Sequence, residues 1–164
     1  MTTSTEAEFT ADTEINVAQL LKADVGASRK IHLSVSSLPL GEVRQARDLD
    51  GIIKLIRLNH GLLATGSVHA TAELTCVRCL NDYTQPLEIT LEEEFRPSID
   101  MTSGASIAYT GADADGDFFL IGDDHVLDLA EPLRQAAWLA APMMPRCRED
   151  CPGIPVAADD GVAV

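Results

Sequence analysis

The sequence predicts an α+β domain: a curved antiparallel sheet, or a partly closed barrel, with a short N-terminal helix and a longer C-terminal helix packed on it. Three observations carry that expectation. Successive segments alternate apolar and polar residues with the two-residue period of half-buried strands. The breaks between them are short and rich in Gly, Asn and Asp, which suits hairpin connections. Helix-start chemistry occurs only near the two ends of the chain.

In chain order, residues 1–13 are polar and acidic without periodicity and read as a disordered tail. Ile15-Asn16-Val17-Ala18-Gln19-Leu20-Leu21 reads as a helix start. There Asn16 caps an orphan amide, Gln19 reaches back, and Ile15 and Leu20 form the hydrophobic staple; Gly26 ends the helix. Arg29 to Ser36 alternates strictly, with Ile31, Leu33 and Val35 on one face. Val43–Ala46 is a weak strand signal and Ile52–Leu58 a strong one, and Asn59-His60-Gly61 supplies a tight turn. From Leu62 to Cys76, Val68, Ala70, Ala72 and Leu74 point inward, and Gly66 suggests a bulge. Residues 80–86 read as a turn, and Leu87–Glu92 alternates again.

Residues 98–117 form a Gly/Asp/Ser-rich insertion expected to be a mobile acidic loop. Its Asp113-Ala-Asp115-Gly-Asp117 does not fit a calcium loop, because Phe118 stands where the frame needs glycine and no glutamate closes it. Phe118–Ile121 is a short buried strand, and Gly122-Asp123-Asp124 a turn. Asp128 caps a last helix with Glu131 three residues on and Pro132 in its first turn; Leu129, Leu133, Ala136, Ala137 and Ala140 share one face. Pro142 and Pro145 stop it. The expected domain covers residues 14–151, followed by a flexible tail at 152–164.

The chain has 164 residues, 46 % apolar and 23 % charged, the size of one domain with a real core. No apolar run is long enough to span a bilayer, and the first residues carry neither a basic stretch nor an apolar signal core, so a cytoplasmic location is expected. A net charge of −14 argues against a general polyanion binder. Between Lys22 and Arg57, however, seven basic residues face four acidic ones, which makes Arg29, Lys30, Lys54 and Arg57 the candidate RNA-facing set.

Chemistry centres on cysteine. Cys76-Val-Arg-Cys79 and Cys147-x3-Cys151 are the whole cysteine inventory, and both spacings suit a tetrahedral zinc site. The separation between the pairs requires tertiary folding to bring them together, so one structural zinc would contribute directly to fold stability. The alternative is four reduced thiols, packed or exposed without metal. A thioredoxin-like role for Cys76 and Cys79 would need the pair to open a helix, whereas a turn and a strand follow. There is no nucleophile elbow, phosphate loop or His-Glu-x-x-His, and four scattered histidines make no catalytic constellation.

Asn16-Val17-Ala18-Gln19-Leu20-Leu21 with Gly26, Cys76-Val-Arg-Cys79-Leu80, Glu92-Glu93-Glu94-Phe95-Arg96-Pro97, and Leu127 to Arg134 leading into Pro142 to Cys147, taken together, resemble the YceD family of large ribosomal RNA subunit accumulation proteins. The resemblance covers roughly residues 14–153. It implies a non-enzymatic bacterial factor supporting large-subunit ribosomal RNA accumulation or maturation, with a ribosomal protein or rRNA precursor as partner. Many relatives continue past the second pair with Gly-Leu-Cys-x2-Cys-Gly, but here Pro155 and Ala158 occupy that stretch. This leaves either a sufficient set of four thiols or a lineage in which metal binding has decayed. Two rival readings remain: a zinc-stabilised acidic adaptor for a basic partner, and a thiol-redox protein.

Overall fold

The computed structural model describes residues 8–41 and 44–155; the outer parts of the expected tails, and Val43 of the weak strand signal, lie outside them. The chain forms strands β1 (Glu8–Thr10) and β2 (Glu14–Asn16), helix α1 (Ala18–Lys22), strands β3 (Ser28–Pro39), β4 (Gln45–Arg57), β5 (Leu62–Thr75), β6 (Asp82–Pro97), β7 (Phe119–Ile121) and β8 (Val126–Asp128), then helix α2 (Ala130–Ala140). The class is α+β, but the sheet is neither closed nor wholly antiparallel. Six strands run in the order β1-β3-β4-β5-β6-β7, with β1 and β7 as open edges. The four long central strands are antiparallel meanders, as their short turns dictate, while both edge strands pair in parallel. Those edges are added by remote segments that satisfy the exposed backbone groups of β3 and β6. Strand structure thus begins at Glu8, inside the expected tail.

Two separate signals merge in β4. The strand runs from Gln45 to Arg57 through a register shift between Arg47 and Asp50, where Asp48 takes a left-handed φ of 53°. The bulge is therefore there and not at Gly66, whose pairing with Ile53 and Leu91 is regular. Gly66 serves close approach instead: a Cβ on it would lie 2.2 Å from the Ile52 carbonyl oxygen, and one on Gly51 would lie 2.2 Å from that of Ser67. These two glycines let β4 and β5 coil tightly against each other.

Residues 82–86, expected as turn, are strand. Pro86 pairs with Thr71 of β5, and β7 engages only Phe95 to Pro97 on the other side, so the missing proline amide faces no ladder partner.

One face of the sheet carries the core. Ile31, Leu33, Ile53, Leu55, Val68, Ile89 and Leu91 are buried there, with Phe95 beneath and Leu127, Leu129 and Leu133 covering them. α2 lies over β6, buries Leu133, Ala136 and Ala137, and starts with the Asp128 Oδ1 accepting the Ala130 amide at 2.8 Å. α1 is shorter than the sequence suggests, since Glu14–Asn16 pairs with β8 as a strand. The Asn16 Oδ1 still accepts the Ala18 amide at 3.1 Å.

The insertion at 98–117 is irregular but anchored. The Tyr109 hydroxyl donates to the Pro97 carbonyl at 2.7 Å. The Arg96 guanidinium lies 4.3 Å from the Phe118 ring centre and 5.4 Å from that of Tyr109, with Nε donating to Glu94. The amide and hydroxyl of Ser103, and then the amide of Thr102, donate to the Asp100 carboxylate and hold it below the usual carboxylate range.

Candidate metal centre

The first cysteine loop hangs from the end of β5. Cys76 and Asn81 close it, the Cys76 amide donating to the Asn81 carbonyl and the Leu80 amide to the Cys76 carbonyl, both at 2.9 Å. To turn back into β6 so soon, Leu80 takes a left-handed φ of 62°. No helix follows Cys79; β6 begins at Asp82.

The second loop follows α2. Proline at 142 and 145 ends helical hydrogen bonding, and the chain crosses to the first loop, where the Val77 amide donates to the Pro145 carbonyl at 2.9 Å. The Arg78 Nη1 donates to the Cys151 carbonyl at 2.8 Å, and Gly153, with φ of 85°, passes against the Arg78 carbonyl. One backbone bond and one from the Arg78 side chain thus lock the two loops face to face before any metal is considered.

The four sulfurs meet at this junction. Cys76 Sγ is 3.8 Å from Cys151 Sγ, Cys79 Sγ is 3.8 Å from Cys147 Sγ, and all four lie within 4.8 Å of one another. A disulfide needs about 2.05 Å. A tetrahedron with metal–sulfur bonds of about 2.3 Å has edges of about 3.8 Å, the separation of these two pairs. Among the described residues this is the one cluster of potential ligands arranged for a metal. Cys76 and Cys151 are buried, Cys79 is half-buried and Cys147 is exposed, so the site sits at the surface with its inner half shielded.

Ionisation is already biased. The amides of Cys79 and Cys147 point at Cys76 and hold its thiol down to about 6, while desolvation and the neighbouring thiols push Cys147 up to about 12. A cation bound here would offset the charge that desolvation and its neighbours keep Cys147 from carrying alone.

The candidate cationic patch does not form one surface. Lys30 and Lys54 lie directly opposite each other across β3 and β4, on the sheet face away from the core. Arg29 and Arg57 have the opposite parity. Arg29 donates to the Asn16 carbonyl at 3.0 Å, and Arg57 Nη1 donates to the carbonyls of Leu58 and Gly61, closing the β4–β5 hairpin. The two-residue strand period separates the arginines, which serve the backbone, from the lysines, which face solvent. His32, on the lysine face, is 3.0 Å from Asp50.

Sequence patterning overlooked the apolar residues around the cysteines. Leu139 and Met143 are 88 % and 100 % exposed, and Val77, Leu80, Trp138 and Met144 are also exposed. The available signal was Met143-Met144 set between two prolines, where neither a helix nor a strand can bury them.

The family model described as large ribosomal RNA subunit accumulation protein YceD matches residues 64–163, which include both cysteine pairs and α2. Uncharacterized proteins of Mycobacterium bovis and Mycobacterium tuberculosis are each 30 % identical over 147 residues, covering 83 % of this chain and 67 % of theirs. One of Mycobacterium leprae is 28 % identical over 102 residues, covering 62 % of this chain and 43 % of its own. No solved structure matches. With its model matched across β5, β6, α2 and both cysteine loops, the chain belongs to the YceD family of large ribosomal RNA subunit accumulation proteins.

Proposed function

We propose that this protein is a non-enzymatic factor in large-subunit ribosomal RNA accumulation, acting in the cytoplasm through contact with an assembly component, and that one zinc ion on Cys76, Cys79, Cys147 and Cys151 holds its partner-facing end in shape. The observation that carries the reading is the convergence of the four sulfurs inside the segment matched by the family model. Zinc is favoured because four cysteine ligands, two pairs of them 3.8 Å apart and all within 4.8 Å, suit tetrahedral thiolate coordination. The shorter C-terminal motif is compatible with this reading, since a closed structural site needs four ligands.

The adaptor reading is part of the same proposal: a charge of −14 favours a basic protein over naked RNA as first contact. The redox reading is weaker. Cys76 has no exposed surface and the pair does not open a helix, so its low-pKa thiol lacks the access that exchange needs.

The test is genetic and biochemical. A strain lacking the protein should accumulate large-subunit precursors, wild type should restore the profile, and Cys79→Ser should not. A normal precursor profile in the deletion strain overturns the proposal. Mixed disulfides trapped through Cys76 or Cys79 would establish the redox alternative.

A further inference from the structure

The four sulfurs are not equally open to solvent. Cys76 keeps none of its surface and Cys151 keeps 2 %, whereas Cys79 is half-buried and Cys147 exposed. An open cleft of about 570 Å³ adjoins them, lined by Cys79, Asn81, Cys147 and Arg148; Cys151 also borders it. The sulfur contacts divide in the same way. Cys76 faces Cys151 and Cys79 faces Cys147, each at 3.8 Å, so the cluster consists of a shielded inner pair and an accessible outer pair. The outer pair crosses between the two loops and joins positions 68 residues apart.

Metal ligation keeps a cysteine in its thiolate form, which is the form that oxidants attack. Hydrogen peroxide is uncharged and little larger than water. It needs no complementary charge to enter the cleft, where Arg148 is paired with Asp150 at 3.4 Å. The sulfur of Cys147, the more exposed of the pair, attacks one peroxide oxygen: an S–O bond forms, the O–O bond breaks, and hydroxide leaves and is protonated to water. The Cys79 thiolate then attacks that sulfur; an S–S bond forms, the S–O bond breaks, and a second hydroxide becomes water. Two thiolates lose two electrons in all, and one peroxide gains them. The sulfurs must close from 3.8 Å to about 2.05 Å. Both residues stand outside helix and strand, where that movement breaks no ladder.

We infer that Cys79 and Cys147 form an oxidative modification site, joined by peroxide into a disulfide that opens the metal centre and takes over its tie between the two loops. With Cys76 and Cys151 as the remaining ligands, the closed four-ligand site is lost and zinc leaves. The new bond still links the loop after β5 to the loop after α2, so the fold keeps its clasp. The inference rests on the metal reading proposed above. It differs from thiol exchange through Cys76 and Cys79, because the buried Cys76 takes no part.

The test uses the full-length, zinc-loaded chain treated with a small excess of hydrogen peroxide. Three quantities are followed: zinc released to a coloured chelator, free thiols, and the disulfide located by non-reducing peptide mass mapping. One zinc should leave for each pair of thiols lost, two thiols should remain, and the mapped bond should be Cys79–Cys147. A dithiol reductant with added zinc should restore the starting state. The oxidised, zinc-free chain should melt at least about 4 °C above reduced, chelated protein. Zinc retained with all four thiols intact would overturn the inference, and so would a first disulfide at Cys76–Cys79, Cys147–Cys151 or between two chains. An oxidised chain that melts with the reduced, chelated one would also overturn it, since the clasp would not have passed to the disulfide. All of these outcomes leave zinc binding standing. A chain that takes up no zinc removes the metal reading itself, while a Cys79–Cys147 bond mapped in that same sample still supports the modification site.

Discussion

The sulfur of Cys76 lies 3.8 Å from that of Cys151, 75 residues further along the chain. The two residues are brought together by unrelated elements, the end of β5 and the loop after α2, and both are buried. A metal bound there ties the last helix to the middle of the sheet, so ligand loss should loosen tertiary structure and not just empty a site.

Cys79→Ser should therefore lose zinc and stability together. We expect a loss of at least about 3 kcal/mol, or a melting temperature lower by about 6–12 °C, with chelation of wild type giving a similar drop. Scanning calorimetry with and without chelator checks this; a variant that melts with wild type would show that the thiols are only packed.

In chelated protein the thiol pKa values act in opposite directions. Cys76 is lowered to about 6 from 9.0, so its stabilisation is complete above pH 9 and lost as pH falls through 6. Cys147 is raised to about 12, so its contribution is complete below pH 9 and lost as pH climbs toward 12. Thiolate absorbance at 240 nm should show a step near pH 6 that Cys76→Ser removes. No thiolate below pH 8 would contradict the amide-donor geometry.

The separated cations should respond differently to substitution. Arg57→Gln removes the donor that holds the carbonyls of Leu58 and Gly61 and should cost about 1.5–3 kcal/mol. Lys54→Gln relieves the like-charge pair with Lys30 and should leave stability unchanged or raise it by under about 1 kcal/mol. Urea titrations of the two variants distinguish these roles; equal effects would mean that the four cations act as one patch after all.

Gly66→Ala should destabilise by about 3 kcal/mol, because the new methyl group meets the Ile52 carbonyl oxygen at 2.2 Å on a strand that cannot retreat. The same urea titrations report it, and a change under about 0.5 kcal/mol would contradict the tight coiling of β4 on β5.

On α2, hydrogen bonds from Arg134 and then Gln135 hold Glu131 down to about 2 from 4.5. That contribution is complete above pH 4.5 and disappears as pH falls through 2. Carboxyl NMR titration should place Glu131 near 2 and return it toward 4.5 in Arg134→Gln; an unshifted Glu131 in wild type would show that the side-chain pair does not persist in solution.

The elements most legible in the sequence were those whose period matches their environment. Leu33, Val68 and Ile89 announce half-buried strands, and Asp128 with Leu133 and Ala137 announces α2. The cysteine junction was legible because metal spacing is local within each pair, even though the convergence is not. Parallel addition of Glu8–Thr10 and Phe119–Ile121 was not legible, since three-residue edge strands carry no periodicity. That Arg29 and Arg57 do not share a face with Lys30 and Lys54 was not legible, because composition does not see parity: those arginines share the phase of the buried Ile31 and Leu55. Leu139 and Met143 read as ordinary apolar residues until the structure showed the core already filled without them.

The most direct measurement is X-ray absorption at the zinc edge on protein purified without chelator, together with its metal content. The account predicts one zinc per chain with four sulfur neighbours at about 2.3 Å, absent from Cys79→Ser. Metal-free protein with four titratable thiols, or zinc bound through nitrogen or oxygen, would contradict it.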